Sequence, residues 1–299
     1  MTLPPIALPT IKDTKSGILL MVLAIFCFAA MDAVAKGLIA RYPVPQVIWA
    51  RFAGQVVIIS VLLGPRLAAM LRTRWPMLHL IRGACQLGAI GCFFSALPHI
   101  GLAEATALGD LNPVLITLGA ALFLGERLGP RRIAGVVAAL IGALIIIRPG
   151  LSVFTPAALL PLAAAVFYAI SALLTRHLGP QETAWTPLIL GALFGMAATS
   201  VTLPFVWVPV PMADWPLFAL IGALGTVANL FLIRSFTLAQ AGSVAPFAYA
   251  GLIFATGWGY VLYGEVPDLP TIIGALVIVA AGLYVWHRET RVHGASKTQ

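Results

Sequence analysis

The stretch ATALGDLNPVLITL, residues 105–118, breaks into a long apolar run with Gly109, Asp110, Asn112 and Pro113 in quick succession. A carboxylate, an amide and a helix breaker placed together suit a loop and are costly in hydrocarbon. How the chain is read depends on whether this stretch lies at membrane depth. Of the 299 residues, 61% are hydrophobic and 9% charged, against roughly 25% charged in an ordinary soluble domain. The mean hydropathy is +1.00. This composition is that of an integral membrane protein.

A hydrocarbon core needs roughly 20 apolar residues per helix. The chain divides into ten such segments, near 16–36, 45–63, 77–97, 102–124, 132–148, 157–175, 184–206, 215–235, 241–263 and 270–287. Short connections between them carry Pro43, Pro45, Pro65, Pro130, Pro180 and Pro267. The net charge of +8 does not indicate nucleic acid, because its basic residues are scattered singly between apolar segments. Placing both termini in the cytoplasm puts Lys12, Lys15, Arg66, Arg72, Arg74, Arg82, Arg127, Arg131, Arg132, Arg176, Arg234, Arg288, Arg291 and Lys297 at inner ends. Only Lys36, Arg41 and Arg148 then fall outside, with Arg51 inside the second segment. That bias follows the rule that basic flanks stay inside. Cys27, Cys85 and Cys92 lie in apolar spans without ligand spacing, so no metal is expected. No cofactor motif is present either, and residues 1–15 read as a short retained tail.

The chain also repeats itself. LGERLGPRRIAGVVAALIGALIIIR (124–148) aligns without gaps on YGEVPDLPTIIGALVIVAAGLYVWH (263–287), matching Gly125-Glu126 with Gly264-Glu265. AIFCFAAMDAVAK resembles AAVFYAISALLTR, which pairs Phe28 with Tyr168 and Lys36 with Arg176, and Trp75-Pro76 pairs with Trp215-Pro216. The offset stays at 139 to 140 throughout. Two five-helix repeats result, residues 16–148 and 149–287, with a cytoplasmic tail at 288–299. Because five is odd, the second repeat enters the membrane from the opposite side, and the repeats are inverted. Such repeats are common in secondary transporters, whose site lies near the midplane between the halves.

The small-residue first helix, WARF opening the second segment, ALPHIGLAEATALGDLNPVLITLGAALFLGERL across the fourth and a second Gly-Glu after the ninth together resemble the EamA type of the drug/metabolite transporter superfamily. Within it the chain looks most like exporters of aromatic amino acids of the YddG type. The resemblance implies an all-α polytopic protein of ten helices in an inverted five-plus-five arrangement. It also implies a central cavity lined by the first four helices of each repeat, the fifth and tenth being peripheral. Asp110 with Asn112 departs from the apolar stretch usual there.

Pro113 removes a donor and clashes with the Gly109 carbonyl, so the fourth helix should bend or open. Irregular backbone at this depth is tolerated only where it faces protein or a cavity, and an ionised Asp110 demands the same. The repeat offset maps Asp110 to Tyr249 and Asn112 to Gly251, close to Pro246. Two kinked helices then face each other, with Asp110 and Tyr249 directed at the cavity; the alternative is a structural pair of Asp110 with Arg82 or Arg51. Gln86 and Asn229 occupy corresponding depths and either bind a zwitterion or bond helix to helix. Tyr168 offers a ring for stacking. Asp32 and Lys36, four apart on one face, read as a local ion pair that Arg51 could complete. His79 reads as interfacial, and Glu126 and Glu265 as caps of the helices that follow them.

The function expected is export of small metabolites, aromatic and other neutral amino acids foremost, across a bacterial inner membrane by alternating access. The partners expected are the substrate and the bilayer, without nucleic acid, in a monomer or weak homodimer. Cationic drugs or other metabolites are the alternative substrates. An intramembrane enzyme is the competing class, but no catalytic motif supports it.

Overall fold

The computed structural model describes residues 11–124, 130–149, 155–178, 183–239 and 241–295. Among them every regular element is helical. In chain order these are α1 (Ile11–Ile39), α2 (Val44–Leu63), α3 (Pro76–Ala96), α4 (Leu102–Gly109), α5 (Asn112–Leu124), α6 (Pro130–Ile147), α7 (Leu159–Leu178), α8 (Trp185–Val206), α9 (Trp215–Leu238), α10 (Ala250–Tyr263) and α11 (Leu269–Ala295). Helices α2, α3 and α9 open on a proline in the first turn, where its missing N–H has no intrahelical partner to lose. Seven helices of the described residues are long and apolar enough to cross a membrane, and Ile133–Ile147 is a shorter apolar helix. The protein is a multi-pass membrane protein.

The two remaining expected segments are not continuous helices. The fourth stops at Gly109 and restarts at Asn112. At the break the Asp110 amide bonds Thr106 O at 2.9 Å and the Leu111 amide bonds Leu108 O at 3.4 Å, a tightening of the last turn. Pro113 then falls in the first turn of α5, the helical position where its ring fits. The ninth segment is divided too: a single turn at Ala241–Val244, a 3-10 stretch at Ala245–Tyr249 that contains Pro246, then α10. The Gly125-Glu126 turn, and with it the cap expected of Glu126, lies outside the described residues.

Helices of the two halves interleave. Helix α1 packs on α9 and α10, and its sequence counterpart α7 packs on α3, α4 and α5. Likewise α2 on α9 is matched by α8 on α3, while α2 with α8 and α6 with α11 pair each helix with its own counterpart. Small residues set these crossings. A Cβ on Gly54 would lie 2.8 Å from Gly222 Cα, and one on Gly142 would lie 2.8 Å from Gly274 O. The glycines of the fifth and tenth segments thus serve contacts within the chain. Gly222→Ala should destabilise the purified protein by about 1–3 kcal/mol through overpacking, whereas Gly91→Ala, with nothing within 4 Å, should be neutral. Thermal unfolding in detergent measures both; equal melting temperatures would refute the close crossing.

One end of the bundle, where α1 gives way to α2, is tied across the halves; it is called the distal end below. Asp214 accepts from Arg41 Nη1 at 2.7 Å and from the Tyr42 hydroxyl at 2.5 Å. Gln46 bridges the Val208 backbone with two bonds, at 2.9 and 3.0 Å, and Arg148 pairs with Asp268 at 2.6 Å. Asp268 also accepts from the Thr271 amide at 3.0 Å, capping α11. The Tyr42 and Arg41 hydrogen bonds hold the Asp214 carboxyl below its ordinary range, and those of Thr271 and Arg148 do the same for Asp268. A depressed carboxylate contributes stability above its unfolded pKa and loses it as pH falls through the folded one. The wild type should therefore melt higher than Asp214→Asn at pH 7, and the gap should close below about pH 4. A gap that persists unchanged in acid would show that Asp214 acts by shape alone.

Candidate functional site

The break at Asp110–Leu111 faces a cavity of about 560 Å³. Its lining comes from both halves, α1 to α5 on one side and α7, α8, α9 and the start of α10 on the other. From Asp32, Arg51 and Asp110 at its distal limit it runs to Met21, Leu188 and Phe236 nearer the chain termini. The walls are apolar and aromatic, with Phe28, Phe52, Phe93, Phe94 and Phe236. Of the expected site residues, Gln86, Asp110, Asn112, Tyr168 and Asn229 all line it, as do Gly109 and Pro113 of the break.

The polar atoms differ in how they are met. Gln86 Oε1 accepts from Ser171 of α7 at 3.3 Å, a helix-to-helix bond. Asn229 Nδ2 returns to Gly225 O in its own helix at 2.7 Å. Asp110 Oδ2 and Asn112 Oδ1 are buried without a protein partner. No partner arginine is bonded to Asp110, so the structural pair with Arg82 or Arg51 is not formed. Tyr249 is not part of the cavity lining. Its hydroxyl is directed at Gly282 of α11, where any Cβ would overlap it. Pro246 likewise lies behind the lining, in the 3-10 stretch.

Two cationic side chains reach the cavity that the sequence had placed elsewhere. Arg51, expected to complete the Asp32–Lys36 cluster, is 6% exposed, donates Nε to Met31 Sδ at 3.2 Å and leaves Nη1 unmet. Arg82, taken for a residue of the inner helix end, is 8% exposed, donates Nη2 to Pro187 O at 2.5 Å and leaves Nε unmet. The signal available was their count: only Asp32, Arg51, Arg82 and Asp110 carry full charge well inside the spans. His79, expected at the interface, is also buried, 5% exposed.

Lys36 does not pair with Asp32. It makes an ion pair with Glu265 and donates to Ile100 O at 2.7 Å. Asp32 instead lines the cavity. Glu265 accepts from the Leu102 amide at 2.8 Å, so it caps α4 and not the helix that follows it in sequence. The side chain reaches across to the other half because the Gly264 turn, at φ +65°, points it back over Gly259. Beside it the Tyr263 hydroxyl donates to Ala33 O at 2.5 Å. Lys36 and Glu265 border a second, smaller cavity of about 500 Å³ at the distal end. Between the two cavities, along α1 and α4, come Ala33, Ala35, Ala105 and Leu108, all without exposure.

Helices interleaved around a cavity, with two interrupted segments beside it, are the architecture of a multi-pass membrane transporter. The chain belongs to the EamA-like transporter family, whose pattern matches residues 15–148 and again 155–286. It is 35% identical over 273 residues to the pseudopaline exporter of Pseudomonas aeruginosa, covering 89% of this chain and 94% of that one. A riboflavin transporter of Rhizobium johnstonii is 32% identical over 282 residues, 92% of each chain. An S-adenosylmethionine uptake transporter of Rickettsia felis is 22% identical over 281 residues, 94% of this chain and 96% of that one. A solved crystal structure shares the fold with a TM-score of 0.62 at 22% identity, over 93% of this chain and 99% of its own.

Proposed function

We propose that the protein exports small amphipathic metabolites across a bacterial inner membrane by alternating access, its two five-helix halves related by an inverted pseudo-twofold axis. The observation that carries this reading is the mid-depth cavity, apolar in its walls and set with unmet polar atoms of Arg51, Arg82, Asp110 and Asn112. Support for the inverted halves comes from the doubled family match and the reciprocal helix pairings. The ten-span, termini-inside arrangement is part of the same proposal: each divided segment counts as one span, and the basic residues set the orientation. The charge bias supports a tied distal end that faces outward.

Asp110, Asn112, Gln86, Tyr168 and Asn229 are proposed to contact the substrate, and Tyr249 to support the helix break from behind. Aromatic and other neutral amino acids fit the aromatic walls and are the first compounds to test. Cationic drugs fit less well, because two guanidiniums share the cavity with the two carboxylates. In liposomes carrying the purified protein, counterflow of labelled phenylalanine or leucine should fall about tenfold in Asp110→Asn, the size of one charged hydrogen bond. Loss of neither amino acid's flux in that variant would remove Asp110 from the site.

The distal ties give alternating access a physical handle. Glu265 holds Lys36 of α1 and the first amide of α4, and α4 ends seven residues later at the break beside Asp110. Opening the distal end requires that carboxylate to release both. A cysteine placed at Ala89 on the cavity wall, in a background without Cys27, Cys85 and Cys92, should react with an impermeant thiol reagent added outside several-fold faster when Glu265→Gln is also present. Unchanged labelling would show that the Glu265 contacts do not hold the distal side closed.

A further inference from the structure

We infer that Arg51 and Arg82 are two separate seats for anionic groups of the substrate, so that the cavity holds an amino compound carrying two spaced carboxylates more tightly than a neutral amino acid. This rests on the transporter reading of the cavity and specifies what that cavity takes.

Both side chains are more than nine-tenths buried, both border the cavity, and each keeps one donor without a partner, Arg51 Nη1 and Arg82 Nε. A guanidinium in a membrane interior costs several kcal/mol and is normally found paired. Neither forms an ion pair with a carboxylate among the described residues; their protein partners are a thioether and a backbone carbonyl. Asp32 lies close enough to Arg51 to act on its charge without a direct ion pair, and no carboxylate among the described residues does so for Arg82.

The two seats lie at different depths. Arg51 stands seven residues from the distal start of α2, and Arg82 six residues from the opposite start of α3. With 1.5 Å per residue and a core of about 30 Å, their backbones are offset by about 10 Å along the bundle. Set on two helices at different depths, the two guanidiniums approach the cavity separately. Asp110 and Asp32, in the distal part of the cavity, supply acceptors for a protonated amine.

The internal repeat gives an independent reason to assign these arginines to a ligand. At the offset of 140, Arg51 aligns with Gly191 and Arg82 with Gly222. Residues that serve the duplicated frame recur in both halves, as Lys36 does in Arg176 and Trp75-Pro76 in Trp215-Pro216. The arginines do not recur, and the second half offers glycines where they lie: a Cβ on Gly191 would be 3.5 Å from Arg82 Nη2, and one on Gly225 would be 3.6 Å from Arg51 Nε. The frame is built without the charges and makes room for them.

Thermal stabilisation of the full-length protein in detergent, titrated with three probes, tests the assignment. γ-Glutamyl-phenylalanine carries a ring, an amine and two spaced carboxylates; phenylalanine carries one carboxylate and phenylalanine amide none. The dipeptide should bind the wild type about tenfold or more tightly than phenylalanine, the increment of a second charged hydrogen bond. Arg51→Gln and Arg82→Gln should each reduce the dipeptide to the level of phenylalanine, and Arg82→Lys should recover part of the difference. Equal binding of dipeptide and phenylalanine to the wild type overturns the two-seat inference without recourse to any variant, as does an unchanged preference in both glutamine variants. Counterflow separates this from the transport reading: phenylalanine flux without a dipeptide preference leaves the exporter and removes the seats. Arginine-dependent dipeptide binding without flux of either compound does the reverse.

Discussion

A polar atom that leaves water for hydrocarbon and finds no partner costs several kcal/mol, and most of this architecture follows from that penalty. Backbone groups are kept inside helices, and the exceptions at Asp110–Leu111 and Ala245–Tyr249 occur beside the cavity or directly behind it. Side-chain charges obey the same constraint. Those at the distal end are answered by opposite charges from the other half, as Arg41 is by Asp214 and Lys36 by Glu265. Those at mid-depth are gathered around the cavity, where a ligand or water can reach them.

The two halves divide the work unequally. Helix pairings recur between the halves, as α2 on α9 does in α8 on α3, while the residues at the crossings differ, Gly54 meeting Gly222 in one and Phe194 meeting Gly83 in the other. Charge at mid-depth is not duplicated. Asp32, Arg51, Arg82 and Asp110 all belong to the first half, and the second contributes small residues, rings and the amide of Asn229 to the same cavity. A symmetric frame can rock between two states, while an asymmetric lining lets the cavity recognise one kind of molecule in both.

The fold was legible because membrane helices are written in composition: apolar runs, proline at helix starts and basic flanks sufficed to find the segments. The interruption at Gly109–Pro113 was legible for the same reason, since a proline and a carboxylate cannot lie unnoticed in such a run. What was hidden was direction around each helix. Arg51 reads in sequence as part of the Asp32–Lys36 cluster and Arg82 as a residue of an inner helix end, and only packing shows that both side chains turn inward. Tyr249 failed in the opposite sense: its depth matched Asp110, but its hydroxyl points at Gly282 and away from the cavity. Lys36 had two carboxylates within reach in principle, one four residues away on its own helix and one 229 positions later. The distant Glu265 prevails because it arrives on a turn from the other half, where it can also cap α4.

Charge balance in the cavity limits what can enter. Two arginines and two aspartates set basic and acidic groups around one space, so net charge alone does not decide which molecule is held. A molecule whose own charges are separated can meet each group with its opposite, and it gains most because the low-dielectric walls screen these pairs weakly. The same walls, built from Phe28, Phe52, Phe93, Phe94 and Phe236, take up the apolar body between the charged ends. Selectivity of this kind depends on the spacing of charges within the substrate, and a cavity that keeps its arginines apart by helix depth sets that spacing directly.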